Sequence, residues 1–249
     1  MELKNFREMS AYIDVLEYDK HEEKHAYFID MMVEMTSMLS KHRGDDTAPF
    51  KVLEVGAGTG IFTRRLAKIP NVKVIAVELD EKCFEVLKHN LQHFSSVELM
   101  KGDSCTYYIE EKFDCIFSSF SDHHIKPENK RSYFQNIQRN LKSGGLLIVG
   151  DEFLPPHNPN DFDAWQAALR TYHNHIIDIA LAQDEKILAD LEREALNSGL
   201  KKKGDFKVSC SQYEKFLSTN GFAFTHKKIG PLNQNDVGGV YVYKAWLPS

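Results

Sequence analysis

The fold of this 249-residue chain is decided by residues 52–60, which read Val52-Leu53-Glu54-Val55-Gly56-Ala57-Gly58-Thr59-Gly60. A short apolar run leads straight into three glycines at every second position, and a segment with helical character follows. A strand, glycine turn and helix let the backbone approach a flat ligand closely, because glycine has no Cβ. The dinucleotide pattern G-x-G-x-x-G would need a glycine at Ile61, and the phosphate-binding loop would need Gly-Lys-Ser/Thr after the turn. The pattern that remains is G-x-G-x-G.

The next apolar run, residues 73–79, predicts a second buried strand that ends in an acid, Glu78. Glu78 follows the glycine turn by about twenty residues, where a doubly wound fold places the carboxylate that holds a ribose. An ionised carboxylate accepts hydrogen bonds from both sugar hydroxyls. The alternative is that Glu78 or Asp80 only caps the following helix. We assign the ribose to Glu78 and the cap to Asp80.

Further predicted strands alternate with helical segments along the chain. Each of the three following strands leads into polar residues. The third strand, 96–100, precedes Gly102-Asp103-Ser104, the fourth, 113–117, precedes residues 118–124, and the fifth, 145–150, precedes Asp151-Glu152. Helical patterns occupy residues 81–93 and 129–141. This alternation predicts a parallel sheet with right-handed crossovers. Ligands bind such sheets at the carboxyl ends of the strands, where these polar residues lie.

Residues 48–155 and 221–248 resemble a class I methyltransferase that depends on S-adenosyl-L-methionine (SAM). The motifs that carry the resemblance are the stretch 53–60, Glu78, Gly102-Asp103 and Gly144-Gly145. The resemblance implies an α/β fold with a doubly wound, seven-stranded, mostly parallel Rossmann-like sheet. Its last strand is antiparallel, and strands six and seven fall at residues 223–229 and 239–245.

The resemblance also implies that SAM is the cofactor and which residues bind it. The glycine loop lies under the methionine part, Glu78 holds the ribose, Leu79 packs on the adenine, Asp103 accepts from the adenine amino group and Ser119 faces the cofactor. The full set is Glu54, Gly56, Ala57, Gly58, Gly60, Glu78, Leu79, Asp103, Ser104 and Ser119. Asp103 in Gly-Asp-Ser is also typical of a side chain that stabilises a turn, and the two roles are compatible.

Composition favours an ordinary cytoplasmic enzyme. The net charge of −5 gives no electrostatic reason to bind nucleic acid, and the one basic run, residues 201–203, reads as a solvated loop. The four cysteines form no C-x-x-C pair, so we expect reduced thiols. No apolar run predicts a secretory leader or a membrane span.

Two segments lie outside the predicted core of residues 48–153 and 221–249. Residues 1–47 read as an N-terminal helical lid segment that either folds over the cofactor cleft or packs on the sheet. Its apolar positions recur at helical spacing and are Tyr12, Leu16, Tyr27, Phe28, Met31, Met32, Met35 and Leu39.

Residues 154–220 are too long for a simple crossover between strands five and six, so they predict a helical insertion. Asp161 reads as the N-cap of one long helix or two, and Ser209 or Ser211 as the cap of a short helix that ends at Thr219. The apolar face of the long pattern contains Phe162, Trp165, Leu169, Tyr172, Ile176, Ile179, Ile187, Leu188 and Leu191. We expect this insertion to cap the strand ends, to form a homodimer contact, or both.

The candidate catalytic residues follow the fourth strand and are Asp122, His123 and His124. A histidine beside a carboxylate suits a general base that removes a proton from the methyl acceptor. In the family that the chain resembles, such a His-His pair often shapes the cleft instead. Glu152 is a further candidate base.

We predict no metal site. His173 and His175, two apart on a predicted helix, point to different faces. His124, His157 and Glu152 or Asp151 have no spacing typical of a metal site.

Three functions remain open from the sequence. The first is methyl transfer to an oxygen, nitrogen or carbon atom of a small molecule. The second is methylation of a macromolecule, either tRNA or protein, which the acidic balance disfavours. The third is SAM binding without turnover, or with use of the sulfonium for another reaction.

Overall fold

The computed structural model describes Ser10 and residues 13–248. Seven strands form one sheet in the order β3-β2-β1-β4-β5-β7-β6. The strands are β1 (Phe50–Val55), β2 (Val72–Glu78), β3 (Val97–Lys101), β4 (Phe113–Ser119), β5 (Leu141–Phe153), β6 (Ala223–Gly230) and β7 (Gly239–Trp246). The helices are α1 (Val15–His21), α2 (Phe28–Arg43), α3 (Ile61–Ala67), α4 (Glu81–Leu91), α5 (Lys130–Asn140), α6 (Phe162–Ala182), α7 (Lys186–Leu200) and α8 (Cys210–Thr219).

The pairing of the strands confirms the predicted Rossmann-like sheet. β1 to β5 are parallel to one another, and β7 is antiparallel to both β5 and β6. β1 lies between β2 and β4, because the chain first winds outward through β2 and β3 and then returns to place β4 on the other side of β1. A crevice opens at such a reversal, outside the carboxyl ends of the central strands.

Alternation along each strand divides the core into two layers. Val72, Val74 and Ala76 of β2 face α2, α3 and α4, whereas Val77 faces the layer that contains α5 and α8. Successive side chains of a strand point to opposite faces, so an almost continuous apolar run is buried on both sides.

The N-terminal segment combines the two arrangements that the sequence leaves open. The apolar face of α2 is buried on the sheet, and its residues are Phe28, Met31, Met32, Met35 and Leu39. α1 packs instead against α4 and α7, above the strand ends. Leu16, predicted on the apolar face, is 60% exposed. Tyr12, predicted on the same face, lies outside the described residues.

The long helical pattern of the insertion forms two helices, α6 and α7, and the short helix α8 follows them. Asp161 caps α6 by accepting from the amide of Ala164 at 3.0 Å, and Ser209 caps α8 within a capping box that includes Gln212. Leu169, Tyr172 and Ile176 of α6 are buried, as predicted, in a cluster that includes Leu196 of α7.

Two residues of the predicted apolar face of the insertion are exposed. Ile187 is 45% exposed beside the turn between α6 and α7, and Phe162 is 49% exposed. Phe162 is the first residue of its helix and stacks on Trp165 outside the core.

β5 is longer than the predicted strand at 145–150. Residues 141–144, which precede the predicted strand, are also part of β5, because Leu141 pairs with Phe113 before the register shifts. Gly144 adopts a φ of +74° there. At its other end β5 includes Asp151 and Glu152, which pair with β7. A rigid strand therefore holds both carboxylates. Within the described residues, none of the helices combines the length and the apolar character that a membrane crossing needs.

Candidate functional site

The glycine turn forms the floor of the crevice at the carboxyl end of β1. Gly56, Gly58 and Gly60 all have positive φ, which L side chains adopt rarely. A Cβ on Gly56 would lie 1.7 Å from the hydroxyl of Ser121, so this position admits only glycine. A Cβ on Gly58 would meet no protein atom within 4 Å, and Gly58 lines a cavity. The backbone there is open to a ligand.

This first cavity has about 880 Å³ of space, including the part open to solvent. That size is typical of a cofactor site. Nine of the ten predicted cofactor residues line it, and they are Glu54, Gly56, Ala57, Gly58, Glu78, Leu79, Asp103, Ser104 and Ser119. Gly60, the tenth predicted residue, does not line the cavity, because it is the N-cap of α3 and packs against Leu87.

Glu78 stands in the wall of the cavity, and Asp80 caps α4. The Glu78 carboxylate accepts from the amide of Gly58 at 2.7 Å and from the amide of Asp80 at 2.7 Å. Asp80 in turn accepts from the amides of Lys82 and Cys83. Burial raises the pKa of Glu78 above its ordinary value. Glu78 thus ties the glycine loop to the end of β2, and each of its oxygens keeps a lone pair for a further donor.

Two further carboxyls, Glu54 and Glu22, face the same cavity. Burial raises the pKa of each to about 8. Thr63 donates to Glu54 at 2.6 Å, and Tyr18 donates to Glu22 at 3.0 Å. Among the described residues that line the cavity, none is Lys or Arg. Such a wall favours a ligand that carries positive charge.

The other end of the cavity suits a nucleobase. Asp103 accepts from the amide of Cys105 at 2.9 Å, which is the turn interaction expected from the sequence, and it also lines the cavity. Leu79 and Ile125 supply apolar surface. The hydroxyl of Ser119 is buried and has no hydrogen-bond partner among the described residues. An orphaned buried hydroxyl is costly unless a ligand pairs with it, so these residues fit an adenosyl group.

A second cavity adjoins the first, with about 530 Å³ of space including the part open to solvent. Tyr18, Phe120 and His124 line both cavities and mark where they meet. The polar side chains of the second cavity come from distant parts of the chain and are His25, His123, Glu152, Glu192, Asp205 and Lys207.

His123 forms a buried pair with Asp151 at the edge of the second cavity. Its Nδ1 lies 2.5 Å from Asp151 Oδ1, and its backbone amide donates to Oδ2 at 3.0 Å. Burial alone would raise the pKa of Asp151, but the charge and hydrogen bond of His123 hold it below its ordinary value. The carboxylate therefore fixes the orientation of the imidazole.

His124 has a different environment from its neighbour. Its Nδ1 hydrogen-bonds to the backbone carbonyl of Gly204. Burial and the adjacent charge of His123 lower the pKa of His124 to about 4. It is a neutral ring at the junction of the two cavities.

The structure does not bring Asp122, the third candidate catalytic residue, to the site. Its carboxylate is buried in an ion pair with Lys130 and accepts from the hydroxyl of Tyr213 at 3.3 Å. Asp122 lines neither the first cavity nor the second. Because the short helical turn at Asp122–His124 directs successive side chains apart, only the two histidines reach the cleft.

A buried cluster of charged side chains forms the far wall of the second cavity, and the sequence analysis missed most of it. Its members are His25, Glu152, His173, Glu192, Asp205 and Lys207. His173 and Glu192 lie among the buried apolar residues of α6 and α7. A polar residue on an apolar helix face was the signal that could have identified these two, whereas His25 in its loop carried none. The geometry separates His173 from His175, as expected, because His175 stacks on Tyr27.

Comparison with known proteins agrees with this geometry. A family model described as a methyltransferase domain matches residues 52–145. The malonyl-[acyl-carrier protein] O-methyltransferase 2 of Ilyobacter polytropus is 30% identical over 105 residues, which are 42% of this chain and 40% of that protein. The polyamine aminopropyltransferase of Yersinia pestis is 25% identical over 198 residues, which are 70% of this chain and 66% of that protein. The chain thus spans less than two thirds of either relative.

A solved structure shares the whole fold. The phosphoethanolamine N-methyltransferase 2 of Haemonchus contortus, in complex with S-adenosyl-L-methionine, has a TM-score of 0.66 at 14% identity and covers 100% of this chain and 61% of that one. The glycine turn, the strand order and the matched domain all agree with one another. Residues 52–145 therefore match a methyltransferase domain, and the chain has the fold of the class I SAM-dependent methyltransferases.

Proposed function

We propose that this chain transfers a methyl group from SAM to an oxygen, nitrogen or carbon atom of a small-molecule acceptor. The observation that carries the proposal is the meeting of two cavities at Tyr18, Phe120 and His124. A donor in the first cavity and an acceptor in the second would meet there, away from bulk water. Positioning of this kind supplies most of what a methyl transfer needs, because bound SAM provides an electrophilic methyl on its sulfonium.

For the cofactor we propose the roles that the cavity wall supports. Glu78 accepts from the ribose hydroxyls, and Asp103 with Ser104 binds the adenine edge between Leu79 and Ile125. The amides and the open face of the glycine loop hold the methionine part. Glu54 supplies a carboxylate for the cationic end, because a nearby positive charge favours its ionised form.

We propose His123 as the general base for acceptors that must lose a proton. In the neutral form of the ring, Asp151 would accept the Nδ1 proton, and Nε2 would then carry the lone pair that removes a proton from the acceptor. Asp151 also stabilises the imidazolium that results. His124 shapes the junction as a neutral ring, and Asp122 has a structural role.

A small acceptor is favoured by the enclosure of the second cavity. α7 and the segment that includes His25 form its walls. A tRNA or protein substrate would need an open, basic groove beside the methyl group, and the net charge of −5 disfavours tRNA.

A second candidate is transfer of an aminopropyl group. It is favoured by the alignment with an aminopropyltransferase over 70% of this chain. It is also favoured by the cavity wall, which has Glu22 and Glu54 but, within the described lining, no Lys or Arg to pair with a carboxylate. The donor of an aminopropyl group is a SAM that has lost its carboxylate, and that dication would suit such a wall.

Mass spectrometry of the protein incubated with SAM and metabolite pools tests the proposal. We expect an acceptor that gains the mass of one methyl group and a matching amount of S-adenosylhomocysteine. His123→Ala should lower kcat by about 10²- to 10⁴-fold for an acceptor that needs a base, whereas His89→Gln, on the exposed face of α4, should not. Product only from decarboxylated SAM and an amine would support aminopropyl transfer. Calorimetric SAM binding with no product in any pool would contradict catalysis.

We keep two further expectations from the sequence as proposals. One is a cytoplasmic location. The other is a homodimer through the insertion, where Leu181 and Ile187 expose apolar surface near the turn between α6 and α7. Sedimentation at increasing protein concentration, with Leu181→Lys for comparison, tests the dimer.

A further inference from the structure

Three potential metal ligands converge on the wall of the second cavity. His25, Glu152 and Glu192 each offer one atom, and the three atoms lie within 4.8 Å of one another. His25 Nε2 is 2.9 Å from Glu192 Oε1 and 3.3 Å from Glu152 Oε1. An ion with bonds of about 2.1 Å holds neighbouring ligands about 3 Å apart. These spacings match one face of a coordination shell, and no other such group of three occurs in the described part of the chain.

The His25 ring is oriented for coordination through Nε2. Its Nδ1 donates to the backbone carbonyl of Ala26 at 3.1 Å and its Nε2 donates to Glu192 at 2.9 Å, so an ion that replaces the Nε2 proton would meet the lone pair of Nε2 beside the two carboxylates. Histidine ligands in proteins almost always donate their second N–H to a carbonyl or carboxylate in this way. The side chain of His25 is 5% exposed, so water does not compete for this orientation.

The two carboxylates also have outer partners that hold them in place. His173 Nδ1 lies 2.8 Å from Glu192 Oε2, which leaves Oε1 directed at His25. Tyr172 donates to Glu152 Oε1 at 2.6 Å, and Lys207 lies 3.0 Å from Glu152 Oε2. Fixed carboxylates around an imidazole lower the cost of assembling a metal site, because the ligands are already ordered.

The open side of this cluster is the second cavity, since all three residues line it. An ion there would keep coordination positions for water or for an acceptor. One nitrogen and two carboxylate oxygens suit divalent transition ions better than Ca²⁺ or Mg²⁺, which prefer oxygen alone.

We propose that His25, Glu152 and Glu192 bind one divalent transition-metal ion, such as Mn²⁺ or Zn²⁺, whose remaining positions face the second cavity. The ion would coordinate the oxygen or nitrogen of the acceptor and favour its deprotonated form. This role in catalysis rests on the proposed function, but the binding of the ion does not. The competing arrangement is an ion-pair network in which a protonated His25 bridges the carboxylates without metal.

Metal binding is measured without SAM, by equilibrium dialysis against Mn²⁺ or Zn²⁺ followed by elemental analysis. We expect one ion per chain. His25→Gln and Glu192→Gln should each weaken binding by more than 100-fold, and Tyr172→Phe, which removes an outer partner, by about 10- to 100-fold. His89→Gln and Glu194→Gln, both exposed, are matched controls that should bind as the unaltered chain does. No bound ion, or binding unchanged in His25→Gln and Glu192→Gln, would overturn the site.

Two further measurements keep the result interpretable. Because a variant of a buried residue can fail to fold, the visible absorption of Co²⁺ bound to the unaltered chain gives an independent test. We expect ligand-field bands without the intense charge-transfer band of thiolate ligands, and a thiolate band would overturn the ligand set. Methyl transfer at full rate by metal-free protein would overturn the catalytic role alone. Stoichiometric metal binding without any methyl transfer would instead count against the proposed function.

Discussion

Glu78 combines a structural task with its proposed contact to the ribose. Its carboxylate joins the amide of Gly58 in the glycine loop to the amide of Asp80 at the helix cap. A single side chain thus sets the distance between the first and second strand ends. The position of the acid in the sequence indicated the ligand contact but not this link, which depends on the parallel pairing of β1 and β2.

Replacing Glu78 separates these two tasks. Glu78→Gln keeps an amide oxygen for one backbone donor but removes the charge, so we expect SAM affinity to fall by roughly 1.5–3 kcal/mol, the value of hydrogen bonds to a charged group. Calorimetry of SAM binding measures the loss, with Glu85→Gln on the exposed face of α4 as the control. Equal affinity in Glu78→Gln and the unaltered chain would contradict the ribose assignment.

The buried carboxyl of Glu54 makes stability depend on pH. Its folded pKa is about 8 against an ordinary value of 4.5, so the folded chain binds more protons than the unfolded chain between these values. Its contribution to stability is therefore greatest below about pH 4.5 and falls as pH rises to about 8. Glu22, with a folded pKa of about 8, acts in the same direction.

Glu54→Gln should remove the Glu54 part of this dependence. Relative to the variant, the unaltered chain should lose up to about 1.4 kcal/mol of unfolding free energy per pH unit across that window. Urea denaturation at several pH values measures the difference. A difference between the two proteins that stays constant from pH 4.5 to 8 would show that folding does not raise the pKa of Glu54.

At the scale of elements, the turn after β4 is anchored by a buried ion pair. Lys130, the first residue of α5, pairs with Asp122 and also donates to the Asp122 carbonyl at 2.7 Å. The pair fixes α5 against the segment that carries His123 and His124. Asp122 therefore acts through the position of its neighbours rather than in the cleft.

Lys130→Met should leave a buried carboxylate without its partner and lower the unfolding free energy by about 3–5 kcal/mol. Asp122→Asn combined with Lys130→Met should recover much of that loss, because no buried charge remains. Chemical denaturation of the single and double variants measures both values. If the double variant is less stable than Lys130→Met alone, the charge argument fails.

At the scale of the whole molecule, the N-terminal segment and the insertion close the site together. Lys24 pairs with Glu185 at 2.9 Å, and His25 pairs with Glu192 at 2.9 Å. Tyr18 and Glu22, from the same segment, line the first cavity. We therefore expect this segment to move away from α7 when the cofactor enters.

SAM should slow amide hydrogen exchange in two separate regions. We expect protection in the glycine loop, which the cofactor contacts, and in α1, which it holds closed, because a ligand adds its binding free energy to the cost of opening. β6, at the far edge of the sheet, is the internal control. Exchange measured by mass spectrometry with protection in the glycine loop alone would contradict the closure.

The sequence by itself determined the sheet and the wall of the first cavity. Glycine spacing, apolar runs and polar residues after each strand are local features, and the rule that parallel strands end at one edge brings them together. Nine predicted residues line one cavity for this reason. The N-cap at Asp161 and the short capped helix before β6 were equally local.

Only the tertiary structure decided the second cavity. His25, Glu152 and Glu192 are far apart in sequence and meet because α7 docks across both the end of β5 and the N-terminal segment. Helical periodicity shows which face of a helix is buried but not which polar side chain of another element it will contact. That contact depends on the angle and register at which whole elements pack, which no short stretch of sequence encodes.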